Sequence, residues 1–279
     1  MPLAAPQDLE EALALVAGGA RPVAGCTDLY PALGDRPAPS DLVDLTSLAA
    51  LRGIGRSRAG WRIGAATTWA ALARAPLPPA FDGLRAAARE VGSVQVQNAG
   101  TLGGNLANAS PAADGVPPLL ALDARVVLRA RGATRRLALA DFLLGPRRTA
   151  LRPGEIIAAV EVPAPPPDAR SAFLKLGQRR YLVISVAMVA VLVWPDAAGR
   201  IAGARIAVGA CSPVARRLPA LEAALAGRPW GASGLPEDPA HWAPLAPIDD
   251  VRGSAAYRAH AVPELVARAL AAAMGQNRG

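Results

Sequence analysis

The segment SVQVQNAGTLGGNLANASPAAD, residues 93–114, constrains this chain more than any other. Three of the four asparagines in the sequence, Asn98, Asn105 and Asn108, fall within eleven positions of it, among Gly100, Gly103 and Gly104, with Thr101 and Ser110 close by. No period of 2 or 3.6 runs through it, so it predicts neither a half-buried strand nor an amphipathic helix. Glycine lets another molecule approach the backbone closely. Successive exposed N–H groups can then form a nest for an anion. Thr101, Asn105 and Ser110 can add side-chain hydrogen bonds to phosphate oxygens. Asp114 has the opposite character: it would repel a pyrophosphate and suit a ribose or adenine donor. The pattern asks for a nucleotide with both a diphosphate and hydroxyl groups; a loop that merely turns the chain is the other reading. There is no Gly-Lys-Ser/Thr and no GxGxxG after a strand, so an ATPase and a Rossmann dehydrogenase both lose support.

A second loop of the same kind is PVAGCTDLYPAL, residues 22–33. Gly25 allows a tight turn, and Thr27 and Asp28 can cap a following helix whose N-terminus would favour an anion. Alone, such a strand-to-helix turn is common. Around these loops the chain alternates short elements. Asp8, Glu11 and Gly18 bracket a capped helix over LEEALALVA. ARPVAG (20–25), DLVDLT (41–46), WRIGA (61–65), RVVLRA (125–130) and EIIAAVEVP (155–163) predict strands. Thr68 can cap WAALARA, and FDGLRAAAREVG (81–92) and PLLALDA (118–124) predict helices. VPAPPPDA (162–169) predicts an extended linker. Beyond it, FLKLGQRR, VISVAMVAVLVW and RIAGARIAVGA predict three successive strands. Helices follow over LPALEAALAG (218–227) and 254–274, where Pro263 marks a kink or a start. Strands followed by helices make a separate α+β unit.

With 279 residues, 52% of them hydrophobic and 19% charged, the chain can build two or three compact cores. Its net charge of +8 raises nucleic-acid binding. The arginines, however, come in scattered pairs such as Arg135-Arg136, Arg179-Arg180 and Arg216-Arg217, without aromatic interleaving. A solvated surface, or docking to an acidic partner subunit, fits better. Lys175 is the only lysine among 30 basic residues. It marks either chance retention or a place where a compact ammonium is wanted. Cys26 and Cys211 are the only cysteines and form no CxxC, which argues against a zinc site or an iron–sulfur cluster held by this chain alone. The N-terminus carries acids early and has no basic region of a signal peptide. The apolar stretch from Tyr181 to Trp194 falls short of the ~20 residues a membrane span needs, so a cytoplasmic protein without a span is expected.

Together these motifs resemble the FAD-binding medium subunit of the molybdenum hydroxylases, the xanthine dehydrogenase and carbon monoxide dehydrogenase group. AGCTDL (24–29) is similar to the family's Ala-Gly-Gly-Thr-Asp-Leu loop, and RIGAATTWAAL (62–72) to its Ile-Gly-Ala-x-Thr segment. NAGTLGGNLANASPAAD (98–114) resembles its Gly-Thr-Leu-Gly-Gly-Asn-Leu signature, the most specific of the matches. FLKLGQRR (173–180) resembles the start of its C-terminal flavoprotein domain, and DDVRGSAAYRAHAVPELVARAL (249–270) its closing Arg-x-Ser-x-x-Tyr-Arg helix.

The resemblance implies an α+β fold: an FAD-binding PCMH-type domain of two α/β subdomains, 1–54 and 55–167, then a smaller C-terminal domain, 168–279, with an antiparallel sheet and helices. It implies that Pro22, Val23, Ala24, Gly25, Cys26, Thr27, Asp28 and Leu29 wrap one side of the FAD diphosphate. Thr101, Leu102, Gly103, Gly104 and Asn105 would wrap the other. Asp114 would hold the ribose or adenine end, and Val91 and Ile157 would line the flavin. Lys175 falls on the family's flavin-proximal lysine, whose cation would favour the anionic reduced form. No catalytic residue and no metal ligand is implied. Two positions depart from the family: Cys26 stands where glycine is usual, leaving the backbone less free, and Gln97 stands where arginine is frequent.

The implied role is electron relay. Electrons pass singly from two [2Fe–2S] clusters on a small subunit to FAD, held non-covalently here, and leave in pairs to NAD+, a quinone or oxygen. A large subunit carrying the molybdenum cofactor hydroxylates the organic substrate, in a heterotrimer or a dimer of heterotrimers. Two other readings stay open: a stand-alone FAD-dependent oxidase of the same superfamily, and a non-redox nucleotide-binding assembly factor. Such oxidases commonly tether FAD through histidine, and His241 and His260 both lie outside the nucleotide loops. The substrate and the electron acceptor are not legible.

Overall fold

The structure, a computed structural model, describes residues 3–275. It divides into two compact units, one of residues 1–72, 93–109 and 124–164, the other of residues 73–92, 110–123 and 165–279.

In the first unit, the strands Leu3–Ala4, Leu42–Asp44 and Arg21–Val23 form a parallel sheet with Leu42–Asp44 in the middle. The helix Leu9–Ala17 starts at a reciprocal cap. Asp8 accepts from the Glu11 N–H at 2.9 Å, and the Glu11 carboxylate accepts from the Gln7 N–H at 2.7 Å. Its apolar stripe, Ala12, Leu13 and Val16, packs with Val43, Leu48 and Leu51. A second, antiparallel sheet has the order Ile54–Ser57, Gly60–Gly64, Ile156–Pro163, Arg125–Ala130, Ala133–Ala138. Ile156–Pro163 is central because its near-continuous apolar run is buried on both faces. The flanking strand Ala133–Ala138 alternates, and its Arg135 and Arg136 pair with Glu155 and Glu161.

The stretch from Ser93 to Asp114 departs from the aperiodic loop that its composition predicts. It contains two short helices, Val94–Ala99 and Leu102–Asn108. Caps rather than periodicity create them: Ser93 Oγ accepts from the Val96 N–H at 3.3 Å, and Thr101 Oγ1 from the Gly104 N–H at 3.1 Å. Helices of one or two turns are too short to display a 3.6-residue pattern.

In the second unit, four antiparallel strands follow in order: Arg170–Leu176, Ala187–Pro195, Ile201–Gly209 and Arg216–Arg217. Ala187–Pro195 is buried nearly throughout because both faces are covered. Ala187, Val189, Val191 and Val193 share a core with Val262, Val266 and Ala269 of the helix Ala255–Ala273. The helix Val116–Ala121 packs on the sheet as well, and the helix Asp82–Glu90 lies along its first strand. The long helix starts at Ser254, whose hydroxyl accepts from the Tyr257 N–H at 3.1 Å, and it runs on through Pro263. Pro263 is therefore not its start. The fold is the expected one: α/β substructure first, then an antiparallel sheet with helices.

Thr101→Ala is expected to lower stability by about 1 kcal/mol, read as a lower urea midpoint, because the cap of Leu102–Asn108 is lost. Thr101→Ser keeps the oxygen and should keep most of the stability.

Candidate functional site

The two glycine-bearing loops meet backbone to backbone. A Cβ on Gly25 would lie 1.9 Å from the Ala99 carbonyl oxygen and 2.9 Å from Gly100 Cα, so no other residue fits there without movement. A Cβ on Gly103 would lie 2.7 Å from Ala65 Cβ. Gly25 and Gly103 thus serve close packing of the chain on itself. Gly104 differs: it is exposed, and the only atom near a Cβ there would be Thr101 Oγ1, at 3.0 Å.

This packing leaves a groove, open to solvent, within the first unit. Pro22, Val23 and Ala24 line it from the first loop, Thr101, Gly103 and Gly104 from the second, and Ile157 from the central strand. Seven of the residues expected to hold a cofactor therefore share one concave surface. Ala65, Ala66, Leu45, Leu51, Ala107, Leu151, Glu155 and Ile156 complete the lining and were not singled out from sequence. Ala65 and Ala66 had a signal, lying inside the RIGAATT match, as did Ala107 inside the 98–114 match; the others come to the groove only through tertiary packing.

The hydrogen bonds correct one expectation. The N–H groups of Leu102–Asn105 do not form an open nest. Leu102 donates to the Thr67 carbonyl at 3.0 Å, Gly103 to Ala65 at 2.8 Å and Asn105 to Thr101 at 3.0 Å, while Gly104 is held by its cap. The unclaimed donors lie on the other loop. Among the described residues, none accepts from the N–H groups of Gly25, Cys26, Thr27 or Asp28. Asp28 occupies the N-cap position of the helix Leu29–Leu33, yet its side chain makes no cap bond there. One side-chain acceptor in the second loop is also open: Asn105 Oδ1 is buried and has no partner. An unsatisfied buried acceptor is an exception that calls for a partner.

Cys26 carries φ +55°, the left-handed region that favours glycine. Burial pushes its thiol pKa up, Asp44 adds to the rise and Arg21 opposes it, so the thiol stays protonated at neutral pH. Both cysteines are free.

The second unit holds Val91, Asp114 and Lys175. Val91 is the C-cap of Asp82–Glu90. Lys175 Nζ donates to Asp114 Oδ2 at 2.7 Å and to the Glu90 carbonyl at 3.3 Å, with both paired side chains under a tenth exposed. Asp114 Oδ1 accepts from the Ser185 hydroxyl at 2.7 Å. Burial holds the Asp114 carboxyl above the ordinary carboxylate range, against the pull of Lys175 and Ser185, and Glu90 adds to the rise. The sequence reading sent Asp114 to the ribose or adenine end and Lys175 to the flavin. Their ion pair puts the two residues in one place, so they cannot serve opposite ends of an extended dinucleotide. Ser185 was missed: a single serine in an apolar run carries no signal until the fold sets it against Asp114.

His241 is buried, its Nδ1 3.1 Å from the Pro236 carbonyl, and His260 is exposed. Among the described residues no three His, Cys, Asp or Glu side chains come together as a metal site, and no helix is long and apolar enough to cross a membrane.

Residues 2–165 match the family described as the FAD binding domain in molybdopterin dehydrogenase, and residues 172–273 match the CO dehydrogenase flavoprotein C-terminal domain. The 6-hydroxypseudooxynicotine dehydrogenase complex subunit alpha of Paenarthrobacter nicotinovorans is 34% identical, over 97% of this chain and 93% of that protein. The nicotinate dehydrogenase FAD-subunit of Eubacterium barkeri is 38% identical over 63% of this chain, an alignment that spans 62% of that protein. The solved CO dehydrogenase from Oligotropha carboxidovorans superposes with a TM-score of 0.87 at 28% identity, covering 99% of this chain and 98% of that one. The chain belongs to the PCMH-type FAD-binding family of the molybdopterin dehydrogenases, which includes the CO and xanthine dehydrogenases. It is the flavoprotein component of an oxidoreductase.

Two outcomes check this geometry. Cys26→Gly should raise stability by about 1 kcal/mol in urea unfolding, because a left-handed residue loses its Cβ strain. Lys175→Met should lower it by about 3 kcal/mol at neutral pH, since a buried carboxylate is left unpaired. The folded variant then binds the Asp114 proton at higher pH than the unfolded chain does. Its stability is therefore greatest below the ordinary carboxylate range and falls as pH rises through the raised folded value. Adding Asp114→Asn should abolish that pH dependence.

Proposed function

We propose that the groove of the first unit holds FAD non-covalently and that the chain relays electrons inside a molybdenum hydroxylase complex. The observation that carries this is the run of unaccepted N–H groups from Gly25 to Asp28, which follows directly on the groove-lining Ala24. Those amides would donate to the diphosphate oxygens. Thr101, Leu102 and Gly103 would supply the opposite wall, Gly104 the space for close approach, and Asn105 Oδ1 an acceptor for a hydroxyl of the ligand. Thr27 and Leu29 complete the first loop, and Ile157 would give an apolar contact. Val91 and Lys175 of the second unit remain proposed cofactor residues, with Asp114 as the lysine's partner rather than a separate ribose ligand. FAD, when bound, supplies the exchange between single electrons and electron pairs.

The relatives support the wider assignment. Their names specify different substrates, 6-hydroxypseudooxynicotine, nicotinate and carbon monoxide, while this component is shared. Substrate choice would then lie on a large molybdopterin subunit, and the electrons would arrive from a small [2Fe–2S] subunit of a heterotrimer or its dimer. We assign 1–54 and 55–167 as the two halves of the FAD-binding region and 168–279 as the C-terminal domain. Two free cysteines suit the cytoplasm.

The purified chain should turn yellow with added FAD at one equivalent and release it on denaturation. Gly104→Leu should weaken FAD binding about tenfold or more, a loss of about 1.4 kcal/mol, with the circular dichroism unchanged. Mixed with its partner subunits and their substrate, the flavin should bleach; with substrate alone it should not. A chain that stays colourless in excess flavin, or one that hydroxylates substrate without molybdenum, would end the proposal.

A further inference from the structure

Lys175 is built into the second unit through a chain of three side chains, and its far end is Ser185. The Ser185 residue is 1% exposed. Its hydroxyl donates to Asp114 Oδ1 at 2.7 Å, because a carboxylate can only accept. The other carboxylate oxygen, Oδ2, accepts from Lys175 Nζ at 2.7 Å, and the Glu90 carbonyl accepts from the same nitrogen at 3.3 Å. An ammonium has three N–H bonds. Two are accounted for, and the residue also lines a cavity with Glu90, Gly177, Arg179 and Arg180.

Both ends of the chain rest on backbone. Lys175 lies in the strand Arg170–Leu176 opposite Met188, and Ser185 lies two residues before the neighbouring strand Ala187–Pro195. The Val186 N–H closes this entry by donating to the Leu176 carbonyl at 2.8 Å. Asp114 bridges the two, and its carboxylate cannot rotate without breaking a bond to one of them. Without the serine hydroxyl, Asp114 Oδ1 loses its one donor among the described residues, and the lysine is left to fix the plane of the carboxylate.

We infer that Ser185 is a positioning residue that fixes, through Asp114, the direction in which Lys175 presents its remaining N–H. Its effect on the cofactor rests on the proposed reading that the ammonium faces the flavin. There it would favour the reduced, more negative form, and a misdirected ammonium would favour it less.

The sole lysine gives the test its specificity. The full chain, grown with lysine labelled at its side-chain nitrogen, has one Nζ resonance. Ser185→Ala should shift and broaden that resonance, and should move the midpoint potential of bound FAD to more negative values. The direction should match that of Lys175→Met, with a smaller size. Ser185→Thr, which keeps the hydroxyl, should restore both. If Ser185→Ala does not fold, Ser185→Cys, with similar shape and a weaker donor, should show the same changes in reduced degree. An unchanged lysine resonance overturns the inference. So does a changed resonance with an unchanged potential where Lys175→Met does move it. If Lys175→Met itself leaves the potential unaltered, it is the flavin-facing reading that fails, and the lysine resonance still decides whether Ser185 orients the ammonium.

Discussion

Close backbone contact between the two glycine-bearing loops is the constraint on which the candidate site depends. Gly25 lies against Ala99 and Gly100, and Gly103 against Ala65, at separations that no side chain tolerates. The Leu102 and Gly103 N–H groups continue the contact by bonding to the Thr67 and Ala65 carbonyls. Burying so much backbone is possible only because these polar groups pair with one another. The same bonds seat the Leu102–Asn108 helix against the segment that follows the strand Gly60–Gly64, and the helix start forms one wall of the groove.

The pairing also decides how the groove divides its work. A helix start whose amides are already bonded to neighbouring carbonyls has little left to offer an anion. Among the described residues nothing accepts from the amides of Gly25 to Asp28, and they stay available. Cys26 sits there in a left-handed conformation that glycine would adopt without strain. A raised thiol pKa keeps that side chain neutral, so it adds no negative charge next to donors suited to an anion. The unpartnered Asn105 Oδ1 is the complementary element, an acceptor in a loop otherwise closed on itself.

Electrostatics in the second unit follows a different logic. Asp114 and Lys175 are both buried, where an unpaired charge is costly and a paired one must be satisfied at its remaining sites. Ser185 and the Glu90 carbonyl provide that satisfaction. A compact ammonium with three donors fits such a socket, whereas a planar guanidinium would need a wider fork of acceptors. This gives a physical reason for one lysine among so many arginines.

Sequence alone was enough for the family and for most of the elements, the two short helices within 93–114 excepted. Alternating apolar residues, caps such as Asp8 with Glu11, and the valine-rich run at 187–193 state their secondary structure locally, since the relevant interactions span four residues or fewer. The loops 22–29 and 98–114 stood out because their glycines and asparagines cluster outside any helical or strand period. Tertiary structure alone decided which of the two loops keeps free amides, that Asp114 and Lys175 occupy one spot, and that Ser185 belongs with them. Each of these depends on partners 33 or more residues away, such as Gly103 with Ala65 or Ser185 with Asp114. No local pattern encodes such partners, because a hydrogen bond is set by where the chain returns in space.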